Sequence, residues 1–296
     1  MLPMPTRSAR RTTRSALPAP PVSRPVRRRP AWPGTALLCL WSLGGAAMAA
    51  PGPGAMPPAR AAELVVFEAA SLKDVFATLS RRFEAEHPGT TVLTNAAGSQ
   101  ELRAQLEHGA SADVFASADR RHMEALVAEG LVNTPLLFAC NEPVLVVRTG
   151  LAATVNAFAD LPRVERLVVG APDVPIGNYT AQILKKAATR YGAAFTVAVE
   201  ARVVSRELNV RQALAKVVLG EADAGIVYRS DAVTAPAGKV RLIPIPAELN
   251  VRAEYPLAML KRAPQPALAR QWLALVTSPA RATALREAGF VACPKP

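Results

Sequence analysis

The apolar positions of this chain alternate between two periods, which orders it into strands and helices. Leu64–Phe67 is an uninterrupted apolar run, short enough for a buried strand. Leu72, Val75, Phe76, Leu79 and Phe83 then recur at helical spacing and predict a helix over 72–86, stopped by His87-Pro88-Gly89. Thr91–Thr94 reads as a second strand, Leu102 and Leu106 mark a helix, and Asp113–Ala116 reads as a third strand. A helix over Arg120–Glu129 stops at Gly130. The run Pro143–Val147, followed by Thr149-Gly150, is the expected passage into a second domain. There the pattern predicts strands at Leu167–Gly170, Val197–Val204 and Ala224–Tyr228, with helices at Tyr179–Thr189 and Val210–Leu219. An apolar strand at Ala253–Leu260 is expected to return the chain to the first domain, where helices at 267–276 and 279–288 pack. Strands alternating with helices imply an α/β fold with mostly parallel sheets.

The expected organisation is a secretory signal over 1–49, a disordered tail over 50–63, a first domain of 64–144 plus 254–296, and a second domain of 145–253. Two crossing strands imply a hinge with a cleft between the domains. The apolar run TALLCLWSLGGAAMA and the small-x-small site Ala47-Met48-Ala49 carry the secretory reading. An uncleaved anchor is the competing reading, but the run is short for a membrane span and contains glycines.

Net charge changes the picture only when it is located. The whole chain carries +12, a value that suggests nucleic acid, yet the first 49 residues hold eight arginines and no acidic residue. Without them, 27 basic face 23 acidic residues, a balance of +4, and the case for nucleic-acid binding loses its main support. Outside the leader two cysteines are left, Cys140 and Cys293; in an oxidising compartment they could bridge, or stay as two buried thiols.

Four segments end a strand and open a helix: AASLKDVF around Ser71, NAAGSQEL around Ser99, DVPIGNYTAQIL around Ile176 and ELNVRQAL around Val210. A helix N-terminus presents unpaired N–H groups and the positive end of a dipole, so several converging together make an anion site without charged side chains. Each feature also has an ordinary structural reading. Ser71 could be an N-cap completing a capping box with Asp74, and Asn209 a cap for its helix. Ile176 could sit in a plain turn between Pro175 and Gly177, and Tyr228, at a strand end, could be core. Catalytic signatures are thin: no G-x-S-x-G elbow, H-E-x-x-H or P-loop occurs. A serine hydrolase built on Ser71 or Ser99 lacks a base, and His87, His108 and His122 all fall on polar helix ends or faces, where solvated surface is expected. Asp113 and Asp119 read as capping or turn residues rather than metal ligands.

From Leu64 to about Phe290 the chain resembles the periplasmic molybdate-binding proteins of ABC importers. The resemblance is carried in order by VVFEAASLKDVF, AAGSQELRAQLEHGASADVFASAD, VPIGNY, NVRQAL, GEADAGIVYRSDA and AEYPLAML. It implies a two-domain periplasmic-binding-protein clamp, joined by two hinge strands, that closes over molybdate or tungstate. The implied contacts are the hydroxyls of Ser71 and Ser99, the backbone amides of Ile176 and Val210, and Tyr228. It further implies a monomeric periplasmic protein that delivers its ligand to a membrane permease, with no cofactor, no catalysis and no nucleic-acid partner. Two positions depart from the family pattern. Glu68 stands where Ala is common and is expected to point away from a dianion, and Ile176 is bulkier than the usual residue. Sulfate or another small oxyanion is the alternative ligand; a secreted hydrolase and the effector domain of a DNA-binding regulator are the alternatives outside the class. The leader and the lack of a helix-turn-helix pattern oppose the last of these.

Overall fold

The computed structural model describes residues 61–151 and 154–293; the expected signal and residues 50–60 of the expected tail lie outside them. The chain runs through β1 (Ala62–Ala69), a 3-10 turn at Ala70–Leu72, α1 (Lys73–Glu86), β2 (Thr90–Ala97), α2 (Ser99–Glu107), β3 (Val114–Ala116), α3 (Arg120–Ala128) and β4 (Leu136–Asn141). After Glu142 it continues as β5 (Pro143–Arg148), β6 (Leu167–Gly170), α4 (Pro175–Tyr191), α5 (Ala193–Glu200), β7 (Val203–Glu207) and α6 (Val210–Val218). Then follow β8 (Ala224–Tyr228), α7 (Arg229–Ala232), β9 (Val240–Pro244), β10 (Ala253–Met259), α8 (Pro266–Thr277) and α9 (Ala280–Glu287).

Two five-stranded sheets result, ordered β2-β1-β3-β10-β4 and β7-β6-β8-β5-β9. They share one plan. Three neighbouring parallel strands lead into a strand antiparallel to both its neighbours, β10 in the first sheet and β5 in the second. Those two antiparallel strands follow the two chain crossings, so each sheet is mixed although four of its five strands point one way. The fold is the two-domain α/β clamp.

Packing follows the strand period of two. On β1, Leu64 and Val66 face a core shared with Phe76, Phe83 and Trp272, while Phe67 faces a second cluster with Leu102, Phe115 and Met123. Trp272 meets Phe76 and Phe83 edge-on, both at 5.5 Å, and so locks α8 onto α1. The second sheet is apolar along β5, β6 and β8, whose residues are all buried except Arg148.

Structure and sequence expectation part at several elements. Val197–Val204 is not a strand: Ala193–Glu200 is α5, and β7 starts at Val203. Its β-branched residues mimic a strand, but Gly192 (φ 89°) ends α4 and starts a new helix, which Phe195 anchors on Tyr191 and Phe158 at 4.9 and 5.9 Å. The expected tail is too long by two residues, because Ala62 and Glu63 already pair with Thr90 and Thr91. Backbone pairing rather than apolarity sets that strand's start. Strands β4 and β9 were not anticipated; both lie at sheet edges, each held by a single neighbour.

The two cysteines are bridged. Cys140, in β4, and Cys293 have Cα atoms 5.2 Å apart and form a disulfide. It fastens the C-terminal segment beside the first crossing, next to the Val291 N–H donated to the Cys140 carbonyl at 2.9 Å.

Candidate functional site

Helices start where parallel strands end, so the carboxyl ends of β1, β2, β6 and β7 present helix or 3-10 N-termini to the cleft between the sheets. Ser71, Ser99, Ile176, Val210 and Tyr228 all line one small cavity there. The rest of its wall is small or backbone-rich, including Ala69, Ala97, Gly98 and Ala118, and none of the lining side chains is charged.

Each position is fixed by local chemistry. Ser71 sits in the 3-10 turn, not at an N-cap: no side-chain cap forms, and the expected box with Asp74 is absent. The Asp74 carboxylate instead pairs with Arg211 across the cleft at 2.5 Å, and Ser71 Oγ lies 2.9 Å from Tyr255 Oη. Ser99 is the first residue of α2; its Oγ accepts the Ala118 N–H at 3.0 Å, which leaves its own hydrogen to donate elsewhere. Asn209 caps α6 by accepting the Gln212 N–H at 3.1 Å, so the cap does not use the Val210 amide. Ile176 is in the first turn of α4, behind Pro175, rather than in a separate turn. Its bulk is accommodated by Gly170, where a Cβ would stand 2.7 Å from Ile176 Cγ2. Gly177 allows α4 to press against the end of β6, since a Cβ there would lie 2.0 Å from the Ala171 carbonyl oxygen.

Tyr228 is 1 % exposed and its hydroxyl has no hydrogen-bond partner in the protein. The rings of Tyr179 and Tyr255 hold it edge-on at 6.3 and 5.9 Å. Burial, reinforced by the neighbouring phenols and acids, pushes its pKa well above the ordinary phenol value, so it is a neutral O–H donor. Residues that carry two hydroxyls, one phenol and first-turn helix amides therefore line one space that no carboxylate lines. A buried dianion needs such a set, because leaving its oxygens unbonded costs several kcal/mol.

Glu68 does not line the cavity, but it is fully buried, and neither carboxylate oxygen meets hydrogen-bond geometry with a partner. Burial first, then Asp74, raises its pKa to about 8; Lys73, Arg211 and the Thr94 hydroxyl pull more weakly the other way. At neutral pH it is mostly uncharged, which removes the repulsion its sequence position suggests.

The structure also brings together residues that the sequence reading missed. His122 is wholly buried, not solvated: its Nε2 lies 2.9 Å from the Asp173 carbonyl oxygen of the second lobe, which also accepts from Arg121 Nη2 at 2.6 Å. Gln100 Nε2 donates to the Leu208 carbonyl at 2.7 Å, and Arg211 stands between Asp74 and the buried Asp231, each at 2.5 Å. These contacts fasten the lobes together around the cavity. The partners that cross the cleft are 51 to 137 residues apart, so no local motif announces them. Asp119 caps α3 as expected, accepting the His122 N–H at 3.0 Å. Asp113 holds the N–H groups of Val65 and Gln265 at 2.8 and 2.6 Å. Among the described residues no group of three or more His, Cys, Asp or Glu could hold a metal ion.

Comparison with known proteins agrees with this architecture. The family model of bacterial extracellular solute-binding proteins matches residues 64–291. The molybdate-binding protein ModA of Mycobacterium tuberculosis is 42% identical over 236 residues, 79% of this chain and 86% of that protein. The periplasmic molybdate-binding protein of Azotobacter vinelandii superposes with a TM-score of 0.67 at 22% identity, over 78% of this chain and 100% of that one. The sulfate-binding protein SubI of M. tuberculosis gives 0.69 at 19% identity, over 77% of this chain and 86% of that one. At those identities the two solved structures speak for the fold alone. Fold, matched length and sequence identity lead to one statement: the chain belongs to the bacterial extracellular solute-binding proteins.

Proposed function

We propose that the protein captures molybdate, or the nearly isosteric tungstate, between its lobes and delivers it to the membrane permease of an ABC importer. One observation carries the reading: Ser71, Ser99, Ile176, Val210 and Tyr228, drawn from both lobes, converge on a single uncharged cavity. The serine hydroxyls and Tyr228 donate to the oxyanion, and the first-turn amides at Ile176 and Val210 add the dipoles of α4 and α6. Each charge-assisted bond contributes about 1.5–3 kcal/mol, so donors alone suffice to hold a dianion. The ModA relatives support molybdate as the ligand. The protein acts as a secreted monomer, exported through residues 1–49 to the periplasm, with neither a resident cofactor nor catalysis in this role. Sulfate, a smaller tetrahedral dianion that the same uncharged donors could bond, is the second reading. If the donors are spaced for molybdate, the shorter bonds of sulfate leave some of them out of reach.

A thermal-shift panel separates the two. A ligand bound only by the folded state stabilises by RT ln(1 + [L]/Kd), about 4 kcal/mol at a thousandfold excess over Kd. Molybdate and tungstate should raise the melting temperature, with sulfate and phosphate doing little at equal concentration. A larger shift with sulfate than with molybdate would reverse the assignment.

A further inference from the structure

We infer that Tyr255 is a positioning residue for the anion site: its buried phenol donates to Ser71 Oγ and thereby commits the Ser71 hydrogen to the ligand. The inference rests on the proposed oxyanion-binding role and concerns a residue outside the contact set. Tyr255 lies on β10, is 0 % exposed and does not line the cavity. The direction of the chain of bonds follows from counting hydrogens. Asn141 Oδ1 accepts the Glu142 N–H at 3.0 Å, which fixes the side-chain amide with Nδ2 on the opposite side. That Nδ2 donates to Ser230 Oγ at 2.8 Å and, at a longer 3.4 Å, to Tyr255 Oη. Tyr255 Oη thus receives one hydrogen and has one to give, and the acceptor within reach is Ser71 Oγ at 2.9 Å. Burial keeps the phenol protonated, so the donation persists at physiological pH. Were Ser71 the donor instead, the Tyr255 hydrogen would be left in a fully buried place without an acceptor, at a cost of about 1–3 kcal/mol.

The second serine is treated in the same way by different means, since Ser99 Oγ accepts the Ala118 N–H at 3.0 Å. Both ligand hydroxyls therefore have an acceptor lone pair filled from within the protein. Their hydrogens are set as donors before any anion arrives, which reduces the ordering cost of binding. Asn141 is the last residue of β4 before the first crossing, and Ser230 belongs to α7 beyond β8. The relay therefore begins at the junction of the lobes and ends at the ligand.

A double-mutant cycle read by isothermal titration with molybdate tests the assignment. Tyr255→Phe keeps the ring contacts with Tyr228 and Phe290, at 5.9 and 5.4 Å, and removes only the hydroxyl. It should raise Kd about tenfold, the order of one hydrogen bond to a charged group. The Ser71→Ala/Tyr255→Phe double variant should bind like Ser71→Ala alone, whereas Ser99→Ala/Tyr255→Phe should show the two losses added. A role in packing alone would add in both pairs. Neutron diffraction of the deuterated wild-type complex needs no variant to fold. It should place deuterium on Tyr255 Oη aimed at Ser71 Oγ, and deuterium on Ser71 Oγ aimed at Tyr255 would overturn the assignment. So would wild-type affinity in Tyr255→Phe, or additivity with Ser71→Ala. A wild-type protein that does not bind molybdate would instead overturn the functional reading, and this inference with it.

Discussion

Gly98→Ala should act as a wedge between the lobes. Gly98 has φ −63° and ψ 139°, a conformation that alanine adopts freely, so the backbone carries no penalty. The obstacle is steric. A Cβ at this position would stand 2.4 Å from the Leu208 carbonyl oxygen and 2.4–2.5 Å from the amide end of Gln100. The Gln100 side chain can swing aside, at the loss of its 2.7 Å bond to that carbonyl. Leu208 O is main chain of the other lobe, just before the Asn209 cap of α6, and moves only if the lobe moves. An unstrained C···O contact is about 3.3 Å, so the cleft must open by roughly 1 Å. That shift carries the α6 amide at Val210 out of hydrogen-bond range of an anion held by Ser71 and Ser99. Losing one or two charge-assisted bonds at about 1.5–3 kcal/mol each should raise Kd for molybdate by roughly two orders of magnitude. Titration calorimetry measures the loss, and thermal melting without ligand should show an unchanged fold. Affinity within threefold of wild type would refute the argument that the lobes close over Gly98.

Three further outcomes follow from the site and its surroundings. Ser99→Ala should cost about 1.5–3 kcal/mol of molybdate binding, while Val210→Ala, which keeps the amide, should cost far less; equal losses by calorimetry would contradict hydroxyl recognition. Opening the Cys140–Cys293 bridge, which closes a separation of 153 residues, should lower stability by about 2–5 kcal/mol, read by denaturant unfolding with and without reductant. The Glu68 carboxyl, at about 8 in the folded state against an ordinary 4.5, holds its proton more tightly when folded. Its contribution to stability is present below about 4.5 and lost as the pH rises through 8, and Asp231, raised to about 7 by burial, acts in the same sense. Glu68→Gln should therefore flatten the fall in melting temperature between pH 5 and 8.5, and an unchanged slope would show that Glu68 titrates normally.

The sequence reveals most of what is local and little of what closes the cleft. Ser99, Ile176 and Val210 lie in the first turns of helices that follow strands, so motif and periodicity coincide at those positions, and β8 has the expected bounds of Ala224–Tyr228. Helix α5 fails for a physical reason: Thr196, Val197 and Val199 have strand-like side chains, but a turn at Gly192 and the packing of Phe195 against Tyr191 and Phe158 decide for helix. His122 looks polar and helical in sequence, and its buried ring meets Asp173, a residue of the second lobe 51 positions away. Tyr255 reads as an ordinary apolar strand residue, because its partner Ser71 is 184 positions away. Periodicity records which face of an element is covered, not which distant atom covers it.

The account stands or falls on where the oxyanion sits. Diffraction from crystals grown with molybdate, collected at the molybdenum absorption edge, locates the metal without reference to any assumed ligand. The account predicts one strong anomalous peak in the cavity, with oxygens within hydrogen-bond reach of the Ser71 and Ser99 hydroxyls, the Ile176 and Val210 amides and Tyr228 Oη. No peak there at saturating molybdate, or a peak held by other residues, would contradict it.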